Sequence, residues 1–467
     1  MRRVHAAWRF AATALVLACA LAACHGGSGG SSAPAADEPA ALPSFPGAEG
    51  FGATTPGGRG GRVIEVTTLA AQGPGSLREA LEASAPRIVV FEVGGTIDLG
   101  GERILVTSPY LTVAGQSALG DGIMIRNGEI TIATHDVIIR GLRIRVGDLP
   151  ANGPSQELRG IMIAGPDAHD IVIDHCSISW GRGGNLYVRD GAWNVTFSWN
   201  IVAEALRIEG SKGITHHSTA GGAICSHHNV LVSNNDRNPR LAAPRDLVQN
   251  NYVYNYGDHG ARIWLMPGFE ADLRGNAFVP GPDSAGKGIF IELADNPRTG
   301  ETGTAPGTVF LEANLGPGRE VITTTEPAEE WLAVDHDPGI TTQVLVATPF
   351  VPSSGVTLDP VEELENLLLS PSGAGAIVPY RDAVDERLIG EIRAGGGQVI
   401  TSQDEVGGWP VLAGGPAPPD SDDDGMPDAW ELAHGLDPLD PSDAGADPQG
   451  DGYTAIEEYL NGLIPSP

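Results

Sequence analysis

The sequence predicts an all-β chain, a right-handed single-stranded parallel β-helix, carrying a small acidic module at its C-terminal end. Three observations predict it. Among 467 residues there are 64 glycines but only 6 % aromatics, the balance of a turn-dense β protein rather than a helical one. Short strand-like segments recur through the middle of the chain at regular spacing. From Pro416 onward the residues turn acidic, with no lysine or arginine left.

At the start, Arg2, Arg3 and Arg9 precede the apolar run FAATALVLACALAAC, which is short for a membrane span and flanked as a targeting segment is. Its end, Leu21-Ala22-Ala23-Cys24, resembles a bacterial lipoprotein signal. That implies removal of residues 1–23 and a lipid on Cys24; ordinary cleavage after a small residue is the alternative. The stretch HGGSGGSSAPAADEPAA then reads as flexible linker, residues 24–43. Cys19 falls in the signal, and Cys176 and Cys225 are expected to stay unpaired, because the repeat separates them.

The repeat comes next. DVIIRGLRI from Asp136, DIVIDHCSI from Asp170, NVTFSWNIV from Asn194, AICSHHNVL from Ala223, DLVQNNYVY from Asp246 and ADLRGNAFV from Ala271 align on Leu142, Cys176, Asn200, Asn229, Asn251 and Asn276. The spacings are 34, 24, 29, 22 and 25. Such a period, with Gly/Asn turns and no helical pattern between strands, marks a solenoid and not βαβ units. Each repeat makes one coil of a β-helix over residues 44–412. The four asparagines are expected to stack as a ladder at one turn, each side chain bonding the next. A solenoid needs its open end covered. GPGSLREALEAS supplies a cover: Ser76 and Glu79 form a capping box, and Leu77, Ala80 and Leu81 give an apolar face. His216-His217, His227-His228 and the Asp174-His175 pair are read as turn and rung residues of this scaffold.

The formal net charge of −31 argues against nucleic acid as a partner, but not against a polyanionic substrate where positive charge is concentrated locally. Against that background Arg237, Arg240 and Arg245 lie within nine positions. Either they pair with the protein's own carboxylates, or they wait for an anionic ligand.

The acidic tail, residues 413–467, has a spacing that disorder does not explain. Asp420, Asp422, Asp424, Gly425, Met426, Asp428 and Glu431 occupy positions 1, 3, 5, 6, 7, 9 and 12 of an EF-hand loop, with glycine at the sharp turn and a bidentate glutamate at the end. Asp447, Gln449, Asp451, Gly452 and Glu458 repeat the pattern, with Ala455 at position 9. The expected ion is Ca²⁺, and the module resembles dockerin-like or thrombospondin type 3-like calcium repeats.

FPGAEGFGATTPGGRGGRVIEVTTL, GPGSLREALEASAPRIVVFEVGGTIDL, IVIDHCSISWG and DRNPRL, in that order from Phe45, together resemble the bacterial pectate lyases of the pectate lyase C superfamily. The resemblance implies the pectin lyase-like β-helix, in agreement with the repeat. It also implies cleavage of pectate, or polygalacturonate, by β-elimination. In that chemistry a base removes the C5 proton of a galacturonate while positive charge neutralises the adjacent carboxylate. The family's R-x-P motif falls on Arg237-Asn238-Pro239, which implies that Arg237 is the catalytic base. A free guanidinium is always protonated, so this role needs a positive neighbourhood. The motif's second arginine falls on Ala242, so Arg240, Lys212 and Arg207 are the expected substrate contacts, with Arg245 adding to the field.

Family members hold Ca²⁺ between acids before the DHCS strand and acids after SWG. Here those regions leave Glu157 and Asp190, with Arg182-Gly183-Gly184 where acids are expected. Either Arg182 replaces the metal by binding the substrate carboxylate directly, or the chain has lost activity or acts on another uronate polymer. The other readings are a non-catalytic β-helix that binds acidic polysaccharide and a glycoside hydrolase, for which no pair of cleft carboxylates stands out. The expected setting is extracytoplasmic: a monomer, either an outer-membrane or cell-surface lipoprotein held by a lipid on Cys24, or a secreted protein.

Overall fold

Each coil turns its first corner on one left-handed residue. The positions ahead of the ladder, Gly141, His175, Trp199, His228, Asn250, Gly275 and Ala313, have φ of 69°, 49°, 55°, 54°, 53°, 58° and 52°. For a residue with a side chain this conformation costs about 1 kcal/mol or more. The amide ladder that follows offsets it. Asn200 Nδ2 donates to Asn229 Oδ1 at 2.9 Å, Asn229 to Asn251 at 2.9 Å, and Asn251 to Asn276 at 3.0 Å. Asn276 continues to Asn314 at 2.9 Å, one rung beyond the expected four. Each Oδ1 also accepts the backbone N–H of the preceding asparagine.

The computed structural model describes residues 41–148, 157–218, 222–293, 307–316, 321–323, 332–334, 344–351, 355–376 and 381–465. The signal segment, Cys24 and most of the linker lie outside the described residues.

Strands stack in parallel on three faces. The first sheet runs from Arg62–Val66 through His169–Asp174, Trp193–Ser198 and Ala223–His227 to Thr308–Glu312, ten strands in chain order. The second holds Arg143–Arg145, Ser177–Ser179, Ile201–Ala203, Val230–Val232, Tyr252–Tyr254 and Ala277–Val279. The third holds Arg159–Ala164, Gly184–Arg189, Ile214–His217, Arg240–Leu241, His259–Leu265 and Lys287–Leu293. The long strand Ile123–Ile132 pairs with both Arg143–Arg145 and Arg159–Ala164, so it rounds the second corner unbroken. Inward positions are Ile, Val and Leu almost throughout, each with essentially no exposure. Cys176 and Cys225 are buried free thiols, as expected.

The helix Leu77–Glu82 buries Leu77, Ala80 and Leu81, the expected face. Ser76 Oγ accepts the Glu79 N–H at 3.3 Å, but the Glu79 carboxylate takes the Gly75 N–H at 2.8 Å, so the box closes one residue early. Buried Arg87 donates Nε and Nη2 to the open carbonyls of Ala80 and Leu81 at the helix end.

Two outer faces are covered. A helix over Ala383–Ala394, started by the Asp382 side chain and stopped at left-handed Gly395, lays Leu388, Ile389 and Ile392 against the second sheet. Fully buried Arg145 fixes it, with Nη2 at 2.9 Å from Asp382 and 2.8 Å from Asp385. The tail packs Met426, Ile456 and Leu460 on Ile88, Val90 and Ala114 of the first sheet. Arg59 Nε reaches both oxygens of Glu457 at 2.9 and 3.0 Å, while its Nη2 donates to the carbonyls of Pro43 and Ser44. Leu42–Pro467 accordingly form one compact unit.

Candidate active site and calcium loops

On the third sheet the inward residues are buried and the outward ones stay partly exposed. The outward set includes Tyr187, Arg189, His217, Arg240, Arg262 and Trp264. Arginines and aromatics on one face make a surface that can grip a chain of sugar acids: the rings stack on the sugars and the guanidinium forks take the carboxylates.

Arg237 stands ahead of the strand Arg240–Leu241 with φ at 64°. The loop is pinned on both sides. The Gly213 and Ile214 N–H groups donate to the Asp236 and Arg237 carbonyls, and the Asn238 N–H donates to the Gly260 carbonyl. The left-handed conformation, shared with the corner residues of the coils, and these backbone bonds fix where the Arg237 side chain leaves the chain. Arg237 Nη1 donates to the Tyr187 hydroxyl at 3.2 Å. Its Nε is 3.9 Å from Asp236, whose carboxylate is held closer by Arg262 at 3.0 Å and His259 at 3.3 Å. Burial pushes Asp236 up, but the His259 hydrogen bond and the Arg262 charge outweigh it and leave it below the usual carboxylate range.

The expected contacts divide. Lys212 bridges to Asp236 through the backbone, and burial, then the Arg237 charge, push its amine below the ordinary lysine value. His217 is pushed down by burial, then by Arg240 and Arg237. Arg240 lies over the Trp264 ring, 4.8 Å from its centroid. Arg207 is exposed and donates to Asn235 Oδ1 at 2.7 Å, two residues ahead of Arg237. The Arg182 N–H donates to the Leu158 carbonyl at 2.9 Å, and its buried Nε has no hydrogen-bond partner among the described residues. Arg245 does not join them. It starts the strand Arg245–Gln249 of the first sheet and pairs with Glu270 at 3.4 Å. Strand entry after Pro244 carries it around the coil, so the three-arginine cluster splits two to one.

The cleft calcium expectation is not met. Glu157 is taken by Arg159 at 2.6 Å, beside Gly183. Asp190, past the other end of Gly184–Arg189, is taken by Arg189 at 2.7 Å. A six-residue strand separates the two acids by about 20 Å, so they cannot share an ion, and each already faces an arginine.

The tail loops do suit calcium. Asp420, Asp422 and Asp424 converge, as do Asp424, Glu431 and Asp443. Glu431 is fully buried, and among the described residues both its oxygens lack a hydrogen-bond partner, as do Asp422 Oδ1 and Oδ2 and Asp424 Oδ2. Burial, then the neighbouring carboxylates, push Glu431 and Asp424 up to about 7. Orphaned acidic oxygens around one point are the donor set of a hard cation. Asp428, expected at position 9, has its two oxygens on the Ser421 N–H and hydroxyl at 2.7 and 2.9 Å, while Asp443, beyond the twelve-residue loop, converges with Asp424 and Glu431. Gly425 and Gly452, at position 6 of each loop, have φ of 88° and 97°, as the turn requires. In the second loop Asp447, Asp451 and Glu458 converge, and Gln449 donates to Glu458 at 2.6 Å.

Sequence reasoning missed Arg159, Tyr187, Arg262 and Trp264. The coil period would have found one of them: Arg262 sits in register with Arg240, one 22-residue coil later.

No family model matches the chain. It is similar to the Probable pectate lyase C of Aspergillus terreus, 33 % identical over 432 residues that span 91 % of this chain and 95 % of that protein. It is equally similar to the Probable pectate lyase C of Emericella nidulans, 33 % identical over 439 residues, with 91 % and 94 % covered. Among solved structures, the fold is similar to that of jun a 1, the major allergen from cedar pollen, at a TM-score of 0.50 and 15 % identity, covering 68 % of this chain and 90 % of that one.

Proposed function

This chain belongs to the pectate lyase C family, and from that footing we propose that Arg237 removes the C5 proton as this polysaccharide lyase cleaves pectate. The observation that carries the assignment is the placement of Arg237: pinned by its neighbours' backbone, beside an Asp236 that Arg262 holds, and on the partly exposed face that bears Arg240, Tyr187 and Trp264.

The C5 proton moves to the Arg237 guanidine nitrogen. The freed electron pair forms the C4–C5 double bond, and the C4–O electrons leave with the departing sugar, whose oxygen takes a proton from solvent. The C5 proton is acidic only when the neighbouring carboxylate is neutralised. Arg182 and Lys212 supply that charge from this chain. Because Glu157 and Asp190 do not form a cation site, no step runs through a cleft ion. Arg240, stacked on Trp264, holds the carboxylate of a further sugar, and Arg207 guides the polymer at the rim.

Calcium belongs to the tail in this reading, held by Asp420, Asp422, Asp424, Glu431 and Asp443 in one loop and by Asp447, Gln449, Asp451 and Glu458 in the other. There it ties the module down. The N-terminal reading stands beside it: removal of residues 1–23, a lipid on Cys24, and an extracytoplasmic monomer.

The deciding assay incubates the protein with polygalacturonate, with and without added Ca²⁺, and follows ultraviolet absorbance of unsaturated ends. Absorbance growing in the parent and absent in Arg237→Lys is the expected result. Retention on pectate gels with no absorbance in the parent would assign the chain to binding rather than cleavage.

A further inference from the structure

Tyr187 sits mid-strand in Gly184–Arg189, paired through the backbone with Met162 on one side and Thr215 on the other. It points outward on the arginine face and is partly exposed, while its neighbours Leu186 and Val188 are buried in the core. Two cations fix the phenol. Arg159 lays its guanidinium over the ring, 4.8 Å from the centroid, where the π face attracts a cation. Arg159 is itself held by Glu157 at 2.6 Å, so it is spent within the protein.

The second cation is Arg237, whose Nη1 donates to the Tyr187 oxygen at 3.2 Å. That contact uses a lone pair of the phenol oxygen and leaves the phenol hydrogen unspent. Among the described residues nothing accepts this hydrogen: the bond from Arg237 is the one hydrogen bond the hydroxyl makes. A donor without an acceptor is therefore fixed on a partly exposed face, one hydrogen bond from the base.

The reaction says what such a donor meets. A base must come within hydrogen-bond reach of the C5 hydrogen, and the carboxylate of that sugar hangs from the same carbon. A hydroxyl beside the guanidine group lies alongside that carboxylate. As the C5 proton leaves, the released electron pair is shared with the carboxylate oxygens while the C4–C5 double bond forms. Those oxygens carry more negative charge in the transition state than in bound substrate, and a preorganised donor aimed at developing charge lowers the barrier.

Given Arg237 as the base, on which this assignment rests, we propose that the Tyr187 hydroxyl is a second catalytic group, donating a hydrogen bond to the carboxylate of the sugar that loses its C5 proton. Tyr187 keeps its own proton throughout. The C5 proton goes to Arg237, the electron pair ends in the C4–C5 bond, and the phenol returns unchanged. Arg182 and Lys212 neutralise the carboxylate on binding. A neutral phenol adds most as the charge grows, so its loss falls on kcat and not on KM.

The test compares the parent, Arg237→Lys and Tyr187→Phe on polygalacturonate. Tyr187→Phe keeps the ring beneath Arg159 and removes only the hydroxyl; kcat should fall about 100-fold with KM little changed. A second measurement reads contact, and decides alone should Tyr187→Phe fail to fold. Arg237→Lys is treated with a tyrosine-nitrating reagent, with and without saturating oligogalacturonate, and Tyr187 is followed by mass spectrometry. Protection by the oligomer is expected. Nitration of Tyr187 indifferent to the oligomer overturns the proposal and leaves the hydroxyl as a support for Arg237. Parent-level kcat in Tyr187→Phe beside a slow Arg237→Lys overturns it too, with the base assignment intact. Parent-level turnover in Arg237→Lys, or a parent that cleaves nothing, removes the base assignment and this one with it.

Discussion

Arg237 Nε stands 3.9 Å from the Asp236 carboxylate, while Arg262 holds that same carboxylate at 3.0 Å. The adjacent acid is therefore committed to another cation, and the forward edge of Arg237 rests on the neutral Tyr187 hydroxyl. Arg237→Lys keeps the charge but loses the fork and its reach. Turnover on polygalacturonate should fall about 100-fold or more, the scale of a positioned base, with substrate affinity and melting temperature little changed. Parent-level turnover in this variant would remove Arg237 from the reaction.

Lys212 carries a pH signature. Burial and then Arg237 hold its amine below the ordinary value. A bound uronate carboxylate favours the charged form and raises it again, so binding takes up a proton between the two values. Affinity for polygalacturonate should fall as pH rises through that interval, and Lys212→Arg, charged throughout, should move the fall to higher pH. Binding isotherms on both proteins over the alkaline range read this directly. Superimposable curves would place Lys212 off the substrate.

Chelation should act on the tail. Without an ion, Glu431 and Asp424 sit at about 7, above the ordinary carboxylate value. The folded tail then binds more protons than the unfolded one across that window, so its stability falls as pH rises from the ordinary carboxylate value to about 7. With Ca²⁺ bound, the same groups are charged and paired. Melting curves with chelator should drop between mildly acidic and mildly alkaline buffer, and Ca²⁺ should restore the alkaline value. Identical melting with chelator and with Ca²⁺ at alkaline pH would count against the loops.

The ladder predicts a stability loss. Asn251→Ala strips the acceptor from the Asn229 N–H and Nδ2 and the donor from the Ser226 and Gln249 carbonyls, all buried. At about 1–3 kcal/mol for a buried group left unsatisfied, the loss should be about 3 kcal/mol or more. Urea unfolding should show it as a lower midpoint at unchanged slope.

What could be read beforehand follows the range of each signal. The coil, the ladder and the cap helix were legible because a β-helix writes its register into the sequence: Asn229 and Asn251 are neighbours in space because they are one coil apart. The spacing of the tail acids could be read because it is local, whereas the convergence of Asp443 on Asp424 and Glu431 comes from outside the motif and could not be. Arg245 misled because proximity in sequence ignores which sheet a strand joins. The helix Ala383–Ala394 left its marks in Asp382 and Gly395, but its docking depends on Arg145, 237 residues from Asp382.

The tail packs against the first of the described residues. Arg59 grips Glu457 while its Nη2 holds the carbonyls of Pro43 and Ser44, and Tyr453 donates to that same Pro43 carbonyl. Stacked repeats ordinarily fray from a free end, one layer at a time. Here the last segment latches the first layer, so the molecule behaves as a buckled belt rather than an open spring. Tension between its two ends loads the Arg59–Glu457 buckle before any coil. Opening the tail therefore loosens the layer nearest the N-terminus rather than the one nearest the C-terminus.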